Sequence, residues 1–588
     1  MSSEDQKPEA NGSIATIVLL SLASLSALGY ALLLRVSNEF GSDTKAVDRP
    51  TLDMLTLFGA LFIAHWIAIY FARRLPSTAT LAVGIFAAAC LFRGIFLNSI
   101  PMHEIDIYRY VWDGAVFAEG VSPYRYAPQQ VKDAALAGGA PNDPTLQQLV
   151  ELQASSQSLY ESLDTIHYGH YPSPYPIVSQ AVFALSAKIT PDSVTTHRRM
   201  VIMKGLLVLM DLATLVVVML LLRELNMHLA WSIAYGWCPL VLKEVANGGH
   251  LDSIAIFFST CAIWLLVRSV RKLGQPTPTI SAGIALALAI GAKLYPVILV
   301  PLFVAVWFRR CGWKIAAIGL ATTGILSIAL LYPLLGPGQT NAEIAAAVEL
   351  QPGELNQPPD AANQIESDDG IQAFLEHWEM NDLLFMVVLE NLRPQAEVAE
   401  QYQPWFVFTS DEWAKSIVTA WAKFKGENKD EQGAAVDQPL SSSQLKRESF
   451  SLARAITGGW FFIFACVLAW IAAGKEDGQK WCQAAMLTLA WFWLTCPTQN
   501  PWYWCWVVPL LPFAVSRTWH AVAAVTMLYY LRFWLTAQYP RPEALGTAYN
   551  GEFFFYFVIA WVEFVPILAG LTIEWLTRRQ FFRSKAKQ

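Results

Sequence analysis

Long apolar runs alternate with short polar breaks along this chain, and two long hydrophilic stretches interrupt them. Runs approaching the roughly 20 residues of a membrane-crossing helix occur near 13–35, 52–72, 78–97, 200–222, 229–245, 251–270, 279–293, 295–309, 313–335, 451–473, 480–496, 502–516, 518–537 and 553–576. The pattern predicts an all-α polytopic membrane protein of about fourteen transmembrane helices. Several runs are short and flanked by proline, which predicts helices that stop inside the protein rather than in lipid. Five regions follow. They are three N-terminal spans (1–97), a first large loop (98–199), central spans (200–335), a second, partly disordered loop (336–450), and C-terminal spans with a basic tail (451–588).

Lys and Arg set the expected orientation. Arg73-Arg74, Arg268 with Arg271-Lys272, Arg309-Arg310 with Lys314, and the tail from Arg578 mark one side as cytoplasmic, with both termini on it. An even number of crossings is then required. Segment 175–190 would break that parity as a span, so it is read as a half-buried helix on the outer surface. In the second loop, 351–370 reads as a linker, 371–392 as an amphipathic lid, and 423–448 as low-complexity polar sequence.

Composition agrees with the pattern. Of 588 residues, 54% are hydrophobic and 15% charged, against about 25% charged in soluble proteins. The net charge of −6 says little, because its sign differs between the two sides. Residues 1–11 are polar and acidic, so no cleavable signal peptide is expected. The eight cysteines lie in or beside apolar runs, and no Cys-x-x-Cys pair exists, so neither a disulfide framework nor a thiolate metal site is indicated. No internal repeat of the kind transporters carry is evident.

The chemistry gathers on the expected outer side. Asp106, Tyr110 and Asp113 recur at helical spacing beside Arg109, just after an apolar run. Ionisable groups at a bilayer edge are costly. Asp106 could serve as a general base or as the ion-pair partner of Arg109. Arg109 and Lys293 could neutralise a phosphate; for Lys293, snorkelling is the plainer alternative. His250 and Asp252 flank the Gly248-Gly249 turn and could position a hydroxyl or phosphate, or merely begin a helix. Trp502, Tyr503, Trp504 and Trp506 could stack on a sugar or form an interfacial belt. His103, Glu104, His167 and His170 have the residue types to hold a divalent metal with Asp106, yet no tight ligand motif appears, so no cofactor is expected.

Several of these segments resemble a family in type and order. Asp106-Ile107-Tyr108-Arg109-Tyr110-Val111-Trp112-Asp113-Gly114, followed by Gly120-Val121-Ser122-Pro123-Tyr124, looks like the first outer loop of GT-C glycosyltransferases. The nearest likeness is to bacterial polyprenyl-phosphate-mannose-dependent mannosyltransferases. Tyr171-Pro172-Ser173-Pro174-Tyr175-Pro176 resembles their tyrosine–proline segment, and Asn247-Gly248-Gly249-His250-Leu251-Asp252 their Asn-Gly-His-x-Asp turn with one glycine added. Lys293-Leu294-Tyr295-Pro296, Trp378 with Asn381, and Pro501-Trp502-Tyr503 also match. The three spans before the loop and the long 393–450 stretch depart from the simplest pattern.

The resemblance implies a GT-C-like bundle and an inverting transfer of a sugar, with mannose favoured. The donor would be a polyprenyl phosphate. The acceptor would be a lipid, glycan or protein on the extracytoplasmic face of a bacterial inner membrane. Asp106 would be the base. Lys293, with Arg109 or His250, would meet the leaving phosphate, and Tyr110, Asp113, Asp252, Tyr295, Trp378, Asn381, Trp502 and Tyr503 would line the substrate site. No nucleic acid is expected. The rival readings are a transporter or flippase for a lipid-linked sugar, and a scaffold without chemistry. The transporter needs charges along a membrane path, where the runs offer chiefly Asp211 and Glu563.

Overall fold

The computed structural model describes residues 7–271, 275–348, 380–396, 398–399, 402–426 and 440–585. Eight of the fourteen apolar runs fold as helices long and apolar enough to cross a membrane. They are Gly12–Phe40, Ala46–Ala72, Ala79–Phe96, Thr196–Glu224, Asp252–Arg271, Trp313–Leu335, Ser442–Ala473 and Gly551–Thr577. Apart from one isolated bridge, Met380 to Thr498, the regular structure among the described residues is helical. The chain is a polytopic helical membrane protein.

The other six runs are shorter or broken. Pro276–Ala292 ends after 17 residues, and Gly478–Thr495 continues for 18. Run 229–245 divides into a 3₁₀ turn (Leu229–Ser232), two one-turn helices and a π-helical turn (Leu242–Asn247). Run 295–309 begins as a 3₁₀ turn, Tyr295–Leu299, before Val300–Cys311. Run 502–516 is the single turn Pro501–Trp504 and a 3₁₀ stretch, Val508–Phe513. Run 518–537 is interrupted by a 3₁₀ stretch, Thr526–Tyr530. Pro239, Pro296, Pro501, Pro509 and Pro512 each remove a backbone donor, which favours these breaks. Broken backbone at membrane depth survives where protein covers it. The segments 233–236, 239–247 and 501–513 are buried throughout.

Segment 175–190 becomes helix Ile177–Ile189, whose 13 residues are too few to cross. It packs along the motif helix, Ile107–Ala118. Gly114 weakens the helical pattern in the sequence, and the packing shows its use. A Cβ there would lie 2.4 Å from the Phe183 carbonyl oxygen, so only glycine admits the approach. The motif helix closes with Gly120 in the left-handed region (φ 80°). Val121 N–H donates to the Val116 carbonyl and Gly120 N–H to that of Phe117, the paired bonds of a glycine-ended helix.

Helix Asp252–Arg271 carries the chain from the polar motifs to the basic clusters, a rise of about 30 Å. At its far end Arg271 pairs with Glu224, Arg310 with Glu476, and Arg309 donates to the Trp470 carbonyl. The basic clusters and the polar motifs thus occupy opposite ends of the bundle.

One expectation is corrected. Asp211 and Glu563 are not the chief buried charges, because Arg93, Lys204, Lys243 and Glu244 are buried as well. Arg93 meets Asp211 through two nitrogens and donates to the Gly236 carbonyl, while the Tyr235 hydroxyl donates to Asp211. These groups satisfy the broken segment 233–247 rather than line a path, and hydropathy averaged over apolar neighbours hid them.

The first loop has its own small core, which includes Trp112, Tyr126, Leu146 and Leu149 with Ile344 from the second loop. Gln339 N–H donates to Arg125 (2.7 Å) and Asn142 N–H to Ala347 (2.8 Å), clasping the two loops together. The linker 351–370, the first part of the lid (371–379) and half of the low-complexity stretch (427–439) lie outside the described residues.

Candidate active site

The acidic turn before the motif helix is held from behind. Asn247 Nδ2 donates to Ser99 Oγ (2.8 Å) and to the Ile100 carbonyl (2.6 Å), and its Oδ1 accepts from Met102 N–H (3.1 Å). Lys204 Nζ donates to the Ser99 carbonyl at 2.7 Å. His103 adopts φ 70°, stacks on Phe533 with centroids 4.4 Å apart, and meets Thr51 Oγ1 at 2.9 Å. Burial, aided by Lys243 and Arg49, pushes its pKa well below the histidine range, so the ring is neutral. This fixed turn presents Glu104 and Asp106.

Glu104 accepts a 2.8 Å hydrogen bond from the Tyr529 hydroxyl. Burial and the neighbouring Asp106 charge raise its pKa, against the weaker pull of His250 and Lys243. Asp106 is half-buried at the N-terminus of the motif helix, and its side chain makes no capping bond. Among the described residues its carboxylate has no hydrogen-bond or ion-pair partner. Its field reaches Tyr110, Tyr175 and Tyr503.

Arg109 does not pair with Asp106. Its Nε donates to Asp113 (2.8 Å) and its Nη2 to the Tyr171 carbonyl (3.0 Å), tying the motif helix to the tyrosine–proline segment. Burial outweighs Arg109 at Asp113 and raises its pKa. Tyr110 stacks on Phe183 (4.7 Å) and meets Tyr175 edge-on (5.1 Å). Arg109 and Asp113 therefore shape the wall of the site.

The opposite wall comes from three broken segments. The π-helical turn accommodates the added glycine, with Gly249 in the left-handed region (φ 69°). His250 then lies 3.3 Å from Glu244 and stacks on Trp502 with centroids 4.4 Å apart. Asp252 accepts two bonds from Lys293 Nζ (2.7 and 2.8 Å) and one from Trp506 Nε1 (2.5 Å). Lys293 also sits 4.5 Å from the Tyr503 ring centroid, and Trp506 lies flat against Tyr295 (3.8 Å). An ammonium has three donors, so Lys293 keeps one beyond Asp252.

Asp106, Tyr110, His250, Asp252, Lys293, Tyr295, Trp502 and Tyr503 are thus brought into one cluster, in which Tyr503 lies against Lys293 and within the field of Asp106. Trp504 is not in it, since it packs on Trp493 and Trp519 in the core. The ring faces of Trp502 and Tyr503 are covered by His250 and Trp506, respectively. Asn381 arrives from the second loop with φ 52° and donates to the Gln499 carbonyl at 3.1 Å; Trp378 lies outside the described residues.

The metal constellation weighed from residue types does not assemble. His103 turns to Thr51, His170 faces Asp133 and Lys132, and among the described residues no trio of His, Cys, Asp or Glu is placed to hold an ion. Sequence reasoning also undervalued Glu104 and missed Tyr529. Two carboxylates two residues apart at a bilayer edge were the available signal for Glu104. Tyr529 sits within a run that reads as an ordinary span.

A family model described as "Alpha-(1->6)-mannopyranosyltransferase, N-terminal domain" matches residues 12–309, which contain Asp106, His250, Asp252 and Lys293. No curated protein and no solved structure matches the chain.

Proposed function

This chain belongs to the alpha-(1->6)-mannopyranosyltransferase family, a mannosyltransferase of the GT-C type, and from that premise we propose that it moves mannose from a polyprenyl-phosphate donor to the 6-hydroxyl of an acceptor sugar outside the cytoplasm. Asp106 takes the proton of that hydroxyl as its oxygen attacks the anomeric carbon. The bond from that carbon to the phosphate oxygen breaks on the opposite side, configuration inverts, and polyprenyl phosphate leaves with the bonding electrons. Lys293 directs its remaining N–H at the leaving oxygen, and Asp252 fixes the ammonium in place. A donor that stays in the bilayer requires chemistry at the membrane edge, where the broken segments end.

The observation that supports this reading most is an unpaired Asp106 carboxylate in the same cluster as the Asp252–Lys293 pair. A carboxylate free to accept a proton and a held cation are the two groups such a displacement needs. A transporter is less well supported, because Arg93–Asp211 and Asn381–Glu563 are locked contacts rather than a path. The test is incubation of the purified protein with a panel of polyprenyl-phosphate sugars. Mannose transfer with release of lipid phosphate is expected. No consumption of any lipid donor would end the reading.

A further inference from the structure

A second concave surface lies between the described part of the second loop and the start of the last span, wholly outside the family-matched segment 12–309. It encloses about 520 Å³, within the usual range for ligand sites. Aromatic and charged side chains line it, and the charged ones include the carboxylates of Asp382 and Glu390. Tyr402, Phe553, Tyr556 and Phe557 supply aromatic surface, with Tyr402 and Phe553 4.7 Å apart. Arg393, Lys415 and Lys446 come from three different places: the end of helix Leu384–Leu392, helix Asp411–Lys425, and the start of helix Ser442–Ala473. Arg393 is already matched by Glu390 at 2.5 Å, whereas Lys415 and Lys446 have no ion-pair partner among the described residues. Asp382 accepts from the Met386 N–H and Glu390 is taken by Arg393, so the groove offers ring faces, two lysines without an ion-pair partner among the described residues, and a net positive charge.

The groove also adjoins the active site. Its lining residue Asp382 follows Asn381, which is bonded to Gln499 ahead of the Trp502 break. On the other side Phe555, beside the lining aromatics, touches Tyr529, whose hydroxyl reaches Glu104 next to Asp106. Tyr529 thus links the side of the groove to the acidic turn. Lys293 and Asp252, the groups proposed to meet the donor phosphate, lie within the family-matched segment, so a groove outside it suits the other substrate.

We propose that this groove is the acceptor subsite and takes an anionic saccharide, stacking a sugar ring on Tyr402 and its aromatic neighbours while Lys415 and Lys446 meet a phosphate or carboxylate. The acceptor assignment rests on the transferase reading above; binding itself does not.

The test uses full-length protein in nanodiscs of zwitterionic lipid, titrated without donor. The probes are a singly phosphorylated mannose oligosaccharide and its neutral twin. Wild type should bind the phosphorylated probe about fivefold to tenfold more tightly, the size expected of two partly exposed charge contacts. K415A/K446A should erase that preference, K415R/K446R should restore it, and Tyr402→Ala should weaken both probes. In transfer assays the ratio of kcat/KM for the two acceptors should fall by the same factor in K415A/K446A. Equal binding of both probes by wild type overturns the proposal, as does a preference that survives K415A/K446A. Loss of the preference in nanodiscs of anionic lipid assigns the lysines to headgroups and overturns it too. A transfer ratio unmoved by K415A/K446A overturns the acceptor role. Preserved binding preference with no transfer from the polyprenyl-phosphate donor supports the groove and counts against the donor reading.

Discussion

The N-terminal spans and the broken core make contrasting use of apolar sequence. Residues 12–96 fold as three regular helices whose outer faces carry exposed Ile17, Leu20, Ile63 and Val83 while Phe58, Phe92 and Phe96 pack inside. Their backbone bonds are satisfied within each helix, as lipid demands. Segments 229–252, 293–299 and 497–513 mix apolar stretches with proline and polar residues, and they stop and restart as short turns. Those restarts leave backbone and polar side chains inside the protein, where Asn247, His250, Asp252 and Lys293 converge. Regular helices give a wall, and interrupted ones give a site. What separates the two is proline at the interruptions together with the polar residues that gather there.

That contrast can be broken by substitutions on either side of it. Asp106→Asn should lower mannosyl transfer by about 10²–10⁴-fold, the scale of a lost general base, while donor binding persists. Lys293→Gln should cost about 10²–10³-fold in kcat, as when one stabilising donor is removed from a charge-developing site. It should also leave Asp252 buried with only Trp506. Asn247→Ala should cost about tenfold to a hundredfold without touching substrate, because the acidic turn would lose its three anchoring bonds. In each case the rate of lipid phosphate release is the measurement. Activity intact in all three variants would erase the distinction between broken core and regular wall.

Phe58→Ala probes the other side. Phe58 is fully buried and pairs with Phe96 (6.3 Å), so its loss should lower the thermal inactivation midpoint, with a cost of about 3 kcal/mol. The turnover of the molecules that remain folded should match wild type. The smallest expected effect is in pH. Because burial and Asp106 raise the Glu104 pKa, protonated Glu104 favours the folded state. That contribution is complete below the unfolded value, about 4.3, and is lost as pH rises through the folded pKa. Relative to Glu104→Gln, wild-type melting temperature should therefore fall as pH increases from about 4 to 7. Parallel melting curves for the two proteins would show that Glu104 is not held as described.

Much of this arrangement was legible in the order of residues. Run length found all eight regular spans among fourteen apolar runs, and charge parity kept 175–190 from being read as a crossing. The internal turns were less legible. Lys243, Glu244 and Arg93 sit in runs whose average hydropathy conceals them, and they are tolerated because each finds a buried partner. Helical spacing placed Arg109 beside Asp106, but the i,i+4 bond to Asp113 turned it away. Glycine read as weakness at position 114, whereas contact with Phe183 made it necessary, a long-range fact that no local pattern carries.

A structure of the complex with a non-hydrolysable polyprenyl-phosphonate mannose and a short acceptor decides the geometry of transfer. The acceptor hydroxyl should lie within about 2.6–3.2 Å of an Asp106 oxygen and the phosphonate within hydrogen-bond reach of Lys293 Nζ, on opposite faces of one anomeric carbon. A phosphonate bound away from Lys293, or an acceptor hydroxyl facing another base with Asp106 turned aside, would contradict it.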